Sequence, residues 1–147
     1  MSLLTARLMS RAQLIEKLCA KGAAQALAED TADWAERIGL LNDENYARAL
    51  VRHYQQRGYG IYKIKDELYR RKVPRTYWED ALAELEDPAE EIDRLLAAKL
   101  PDPSDRKQVK RASDALVRRG FSWEQVSAGI RRRREAADAL DETDWRE

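Results

Sequence analysis

Arginine and lysine, rather than any acid–base pair or nucleophile, are the residues whose number and spacing point to chemistry in this chain. Between Arg106 and Arg134 ten Lys/Arg face only Asp114 and Glu124, and between Arg52 and Arg75 eight face only Asp66 and Glu67. Such groups recognise carboxylate or phosphate. Runs of opposite sign lie beside them: eight acids and no cation from Glu79 to Asp93, and a net −5 from Glu135 to Glu147. The formal net charge is zero, so any attraction belongs to local faces rather than to the molecule as a whole.

Three basic groups are candidates for partner contact. Arg57, Lys63, Lys65, Arg70 and Arg71 form the first, and Lys110, Arg111, Arg118 and Arg119 the second, one to two helical turns apart. The third is the run Arg131 to Arg134, of which Arg131 and Arg132 are the candidates. Four consecutive residues on a helix are about 100° apart, so this run encircles its axis instead of forming one stripe. For every group a solvated face is the alternative to contact with phosphate or an acidic surface. Tyr59, in a turn, and Tyr62, off the Ile61–Ile64–Leu68 stripe, are the aromatics expected at the surface, where Tyr beside Arg anchors interfaces.

Other chemistry lacks its parts. Cys19 and His53 are the only cysteine and histidine, so neither a disulfide nor a Cys/His metal set is available, and packing roles are expected. Gly58-Tyr59-Gly60 is too short for a phosphate loop and reads as a helix stop and restart. No Walker loop or Ser/His/Asp set is present. The chain is expected to be no enzyme and to need no cofactor. The sequence contains no apolar run long enough for a membrane span and no basic-then-apolar leader.

The elements that must carry these charges are helices. Ala, Leu, Glu and Arg are abundant and β-branched residues few among 147. A phrase recurs three times: a leucine (Leu18, Leu68, Leu116), a cation three residues on, then Gly or Lys, then an apolar residue. The leucines are 50 and 48 residues apart, a period suited to a three-helix unit that buries its apolar face against its neighbours. The expectation is an all-α, elongated array of three tandem three-helix repeats, about nine helices, with no strand. Its bounds are 1–41, 42–86 and 87–134, with 135–147 an acidic tail continuing the last helix. The first helix is placed at Ser2–Met9, followed by a capping box at Ser10–Gln13. Leu18, Leu68 and Leu116 are expected in equivalent buried sites. Trp34, Trp78, Trp123, Tyr46, Tyr54 and Tyr77 are expected at core positions, with Trp78 and Trp123 as repeat equivalents.

Three stretches carry a resemblance. Gly39-Leu40-Leu41-Asn42-Asp43 with Tyr46 and Ala47 comes first, then Arg57-Gly58-Tyr59-Gly60 with Ile64, Glu67 and Leu68, then Arg118-Arg119-Gly120-Phe121-Ser122. In this order and spacing, over roughly residues 10–134, the chain resembles the RecX family, bacterial regulators of the recombinase RecA. The resemblance implies a non-enzymatic, cytoplasmic protein, a monomer, lying in the groove of the RecA–DNA filament. There it would damp ATP hydrolysis, strand exchange and co-protease activity, within DNA repair, homologous recombination and the SOS response. Weak non-specific DNA contact is a secondary expectation. The alternative is a helix-turn-helix-like DNA-binding protein, with Lys107–Arg119 and Trp123–Arg134 as the helix pair. Lys72 departs from the family's usual glycine, so the second repeat's turn is not expected to need a left-handed residue.

Overall fold

The computed structural model describes residues 8–145. Among them are eight α-helices, one 3-10 turn and no strand: α1 Arg11–Ala20, α2 Gln25–Arg37, α3 Asp43–Gln56, α4 Ile61–Arg70, the 3-10 turn Arg75–Tyr77, α5 Trp78–Leu82, α6 Ala89–Lys99, α7 Arg106–Arg118 and α8 Trp123–Trp145. The helix expected at Ser2–Met9 lies outside the described residues except for Leu8 and Met9, which are not helical.

Helix starts follow from side chains that satisfy free amides. Before α1, Ser10 Oγ accepts from the Gln13 amide at 3.2 Å, and Gln13 Oε1 accepts from the Ser10 amide at 3.0 Å. Ser122 and Gln125 repeat this box at α8. Asn42 accepts from the Asn45 amide at α3, and Asp105 caps α7. The thrice-repeated phrase is a helix stop. The amides of Ala23, Val73 and Phe121 donate to the carbonyls of Leu18, Leu68 and Leu116, five residues back in each case. This is the Schellman closure, which needs a left-handed residue just before the donor. Gly22 and Gly120 supply it, and so does Lys72, at φ +60. The second repeat's turn, not expected to need a left-handed residue, uses one all the same. The closure dictates the backbone, and a side chain there costs about 1–2 kcal/mol.

Two compact units result, one containing residues up to 55 together with 64–85, the other 56–63 together with the residues from 86 onward. The first holds two cores. Met9, Leu14, Ala32, Ala35 and Leu41 form one, and Tyr46, Ala47, Leu50, Val51, Ile64, Leu68, Val73 and Ala81 the other. Ser10 Oγ donates to the Arg71 carbonyl at 2.6 Å, bringing the start of α1 to the end of α4. The second unit has a single core, from Ile92, Leu95, Leu96 and Leu100 to Leu116, Phe121, Val126 and Ile130.

Two packing expectations need correction. Leu68 and Leu116 are fully buried, whereas Leu18 only flanks its cluster. Its neighbour α2 turns Ala28, Ala32 and Ala35 inward, and methyl groups enclose a leucine poorly. Trp78 packs against its core and donates its indole N–H to the Val73 carbonyl at 2.9 Å. Trp34 and Trp123, by contrast, are 43% and 62% exposed. Trp34 shares an outer stripe with Leu27 and Ile38, displaced from the alanine face. Trp123 opens α8, and side chains of a first turn lean back past the helix end, where Phe121 already closes the core.

Candidate partner-binding surface

The two most distinctive sequence stretches meet each other. In the second unit the turn Gly58-Tyr59-Gly60 lies against the turn at Gly120. The Gly60 amide donates to the Arg119 carbonyl at 2.8 Å, and the Tyr62 amide to the Gly120 carbonyl at 3.0 Å. Glycine is required on both sides. A Cβ on Gly60 would stand 2.4 Å from the Gly120 carbonyl carbon, and one on Gly120 2.4 Å from the Lys63 nitrogen. Arg119 completes the clasp. Its Nη1 donates to the carbonyls of Arg57 and Gly58 at 3.3 and 3.2 Å, capping the C-terminal end of α3. Its guanidinium also lies 5.4 Å from the Tyr59 ring centre. Arg119 and Tyr59, expected to face a partner, are thus engaged within the fold. Tyr62 is 58% exposed, as expected.

The remaining candidate cations fall into two kinds. Arg71 joins a polar network with Glu67, donating to Tyr46 and Tyr54 at 3.1 Å each, and Tyr54 in turn donates to Glu67 at 3.0 Å. Burial opposes the Arg71 charge, but these hydrogen bonds and the Glu67 carboxylate outweigh it, so the guanidinium is held more firmly protonated than usual. Arg70 reaches the same carboxylate at 3.1 Å. Most of the tetra-arginine run is also engaged within the fold. Arg132 binds Asp93 at 2.9 Å, Arg133 donates to the Leu100 carbonyl at 3.0 Å, and Arg134 to that of Pro103. These last two hold the end of α6 and the loop after it, the usual use of cations at a helix C-terminus. Arg71, Arg119 and Arg132 are thus each tied to groups of their own unit, with the Arg71 and Arg132 side chains still 37% and 39% exposed.

Arg57, Arg111, Arg118 and Arg131 stay exposed, while Lys63 and Lys65 are half-buried. On α7, Arg111 and Arg118 share a face with Lys107, which the sequence reading did not single out. The three stand at i, i+4 and i+11, within about 40° of arc, opposite the buried Ala112, Ser113 and Leu116. Lys107, Arg111 and Arg118 make no ion pair with any described residue. Lys110, beside them, reaches Asp114 at 3.5 Å. The helical spacing alone would have found Lys107. This stripe is suited to binding anionic groups and has no equipment for bond-making. No group of three His, Cys, Asp or Glu that would hold a metal occurs among the described residues, and none of their helices is long and apolar enough to cross a membrane.

Fold and surface define a protein that is all-α among its described residues and carries a basic face on α7. A family model described as RecX, second three-helix domain, matches residues 42–82, the span from α3 through α5. The regulatory protein RecX of Pseudomonas entomophila (strain L48) is 34% identical over 132 residues, covering 86% of this chain and 83% of that protein. The regulatory protein RecX of Mycobacterium sp. (strain JLS) is 35% identical over 130 residues, covering 82% and 71%. The crystal structure of RecX from Lactobacillus salivarius superposes with a TM-score of 0.74 over 88% of each chain, at 24% identity, which speaks for the fold alone. The chain belongs to the RecX family of regulatory proteins.

Proposed function

We propose that this protein binds the groove of the RecA–DNA filament and lowers RecA's ATP hydrolysis, strand exchange and co-protease activity. The observation that carries this reading is family membership extending over most of both chains. The surface adds support: Lys107, Arg111 and Arg118, with no ion pair among the described residues, present positive charge in a row about 16 Å long, suited to phosphates or acidic side chains. Arg57, Arg131, Lys63, Lys65 and Tyr62 are further contact candidates. In this reading the protein is a cytoplasmic monomer with weak, non-specific DNA contact. Direct DNA reading by α8 has less support, because Arg132, Arg133 and Arg134 already hold groups of their own unit.

The test is RecA's ATPase rate on single-stranded DNA with substoichiometric to equimolar amounts of this protein. The rate is expected to fall. An unchanged rate with a demonstrably folded sample would remove the proposal. Retention on RecA-coated DNA but not on bare DNA separates it from a DNA-binding role.

A further inference from the structure

Outside the basic stripe, the first unit carries a groove of about 420 Å³ at the end of α4, lined by Tyr69, Arg70, Lys72, Val73, Arg75 and Trp78. Its floor is apolar, its rim holds three cations, and no acid lines it. We propose that this groove binds an acidic peptide segment carrying one large apolar side chain.

The parts fit that ligand one by one. Val73 is buried, and the Trp78 indole is fixed by its bond to the Val73 carbonyl, so together they form a rigid apolar base. Tyr69, 67% exposed, is a free wall able to close over an inserted side chain. The Arg75 guanidinium lies 5.1 Å from the Trp78 ring centre and has no carboxylate partner among the described residues. Stacked in this way it keeps its N–H edge for a carboxylate. Lys72 and Arg70 hold Glu16 and Glu67 at 2.5 and 3.1 Å. The Lys72–Glu16 pair, with both partners exposed, is weak enough to exchange for an incoming carboxylate, while Arg70 stays on the buried Glu67 with its side chain 64% exposed. Recognition of acidic motifs by clustered cations beside an apolar anchor site is a recurring mode.

A nucleic-acid strand fits less well. One face of the indole is already covered by Arg75, which leaves less of it for base stacking. The basic rim is also short. Asp66, Glu79 and Asp80, all exposed, flank it in the chain and would repel a phosphate backbone running on, whereas a peptide of a few residues ends within the rim.

This inference is independent of the RecA reading, because its probe is a synthetic peptide. The full chain would be titrated into a fluorescein-labelled Glu-Asp-Phe-Asp-Glu peptide, with an Ala-for-Phe version alongside, and anisotropy followed. The Phe peptide is expected to bind about tenfold tighter than the Ala one. Arg75→Glu and Tyr69→Ala, both at exposed sites, should each weaken it about tenfold or more with the melting temperature unchanged. Equal binding of the two peptides, or binding insensitive to both substitutions, would overturn the proposal. So would displacement of the peptide by a short oligothymidylate at lower concentration than by unlabelled peptide, which would assign the groove to nucleic acid.

Discussion

Replacing Gly60 by alanine should destabilise the second unit through contact alone. Its backbone is not in the left-handed region, so an alanine there meets no conformational penalty of its own. The new methyl would stand 2.4 Å from the Gly120 carbonyl carbon and 2.5 Å from the Gly120 oxygen and the Phe121 nitrogen, about 1 Å inside ordinary contact. Since these atoms are backbone, the two turns must part. Parting them loses the Gly60-to-Arg119 and Tyr62-to-Gly120 bonds, at about 0.5–1.5 kcal/mol each. Crowding adds about 1–3 kcal/mol. The sum is roughly 2–6 kcal/mol, or about 4–24 °C in melting temperature for a chain of this size. Urea unfolding followed by tryptophan fluorescence would measure it, and hydrogen exchange at the Gly60 and Tyr62 amides would localise it. Arg118→Ala, at an exposed site near the clasp in sequence, is the control and should stay within about 0.5 kcal/mol. A Gly60→Ala protein as stable as the parent, with both amides still protected, would refute the reasoning.

Leu68→Ala should cost about 2–5 kcal/mol in denaturant titration, and Leu18→Ala clearly less, because only the first is fully enclosed. The triple change Lys107→Ala, Arg111→Ala and Arg118→Ala should leave the melting temperature within a few degrees and reduce inhibition of RecA's ATPase, with the parent's inhibition itself fading as salt rises. Arg132→Ala should do the reverse, loosening the contact with Asp93 and lowering stability before inhibition. Burial raises the Asp43 carboxyl above its ordinary 3.8, with the Glu36 charge adding to it and the Arg11 amide and charge opposing. The folded state then keeps that proton in a window above 3.8 where the unfolded chain has lost it, so this group's contribution to stability falls as pH rises through the window. Asp43→Asn, which keeps an acceptor for the Arg11 amide, should abolish that fall in a pH series of urea midpoints.

The helices were legible because their signals are local. Ser10 with Gln13, the leucine periodicity and the glycine stops all act within one or two turns, and the recurring leucine phrase proved to be one hydrogen-bonded closure used three times. What escaped was long-range. A guanidinium's charge is plain in the sequence, but the carbonyl it will reach is not: Arg119 finds Gly58 across 61 residues, and Arg133 finds Leu100 across 33. The tetra-arginine run therefore read as surface when most of it is internal fastening. Lys72 runs the opposite way: its residue type does not call for a left-handed conformation, and the closure imposes one. Trp123 has core spacing but stands at the helix end, where periodicity has nothing to pack against.

The clasp between the two glycine turns also has a bearing on synthesis. Its first half, Gly58 to Tyr62, leaves the ribosome roughly sixty residues ahead of its second, a delay of about 3–12 s at usual elongation rates. Throughout that interval the amides of Gly60 and Tyr62 and the carbonyls of Arg57 and Gly58 lack the bonds that Arg119 and Gly120 later supply. The nascent protein can settle its early helices, but the stretch between α3 and α4 must wait for Arg119 and Gly120 to emerge. A chain stalled or cut short before that point lacks Arg119 and Gly120, and with them the hydrogen bonds that close the turn after α3.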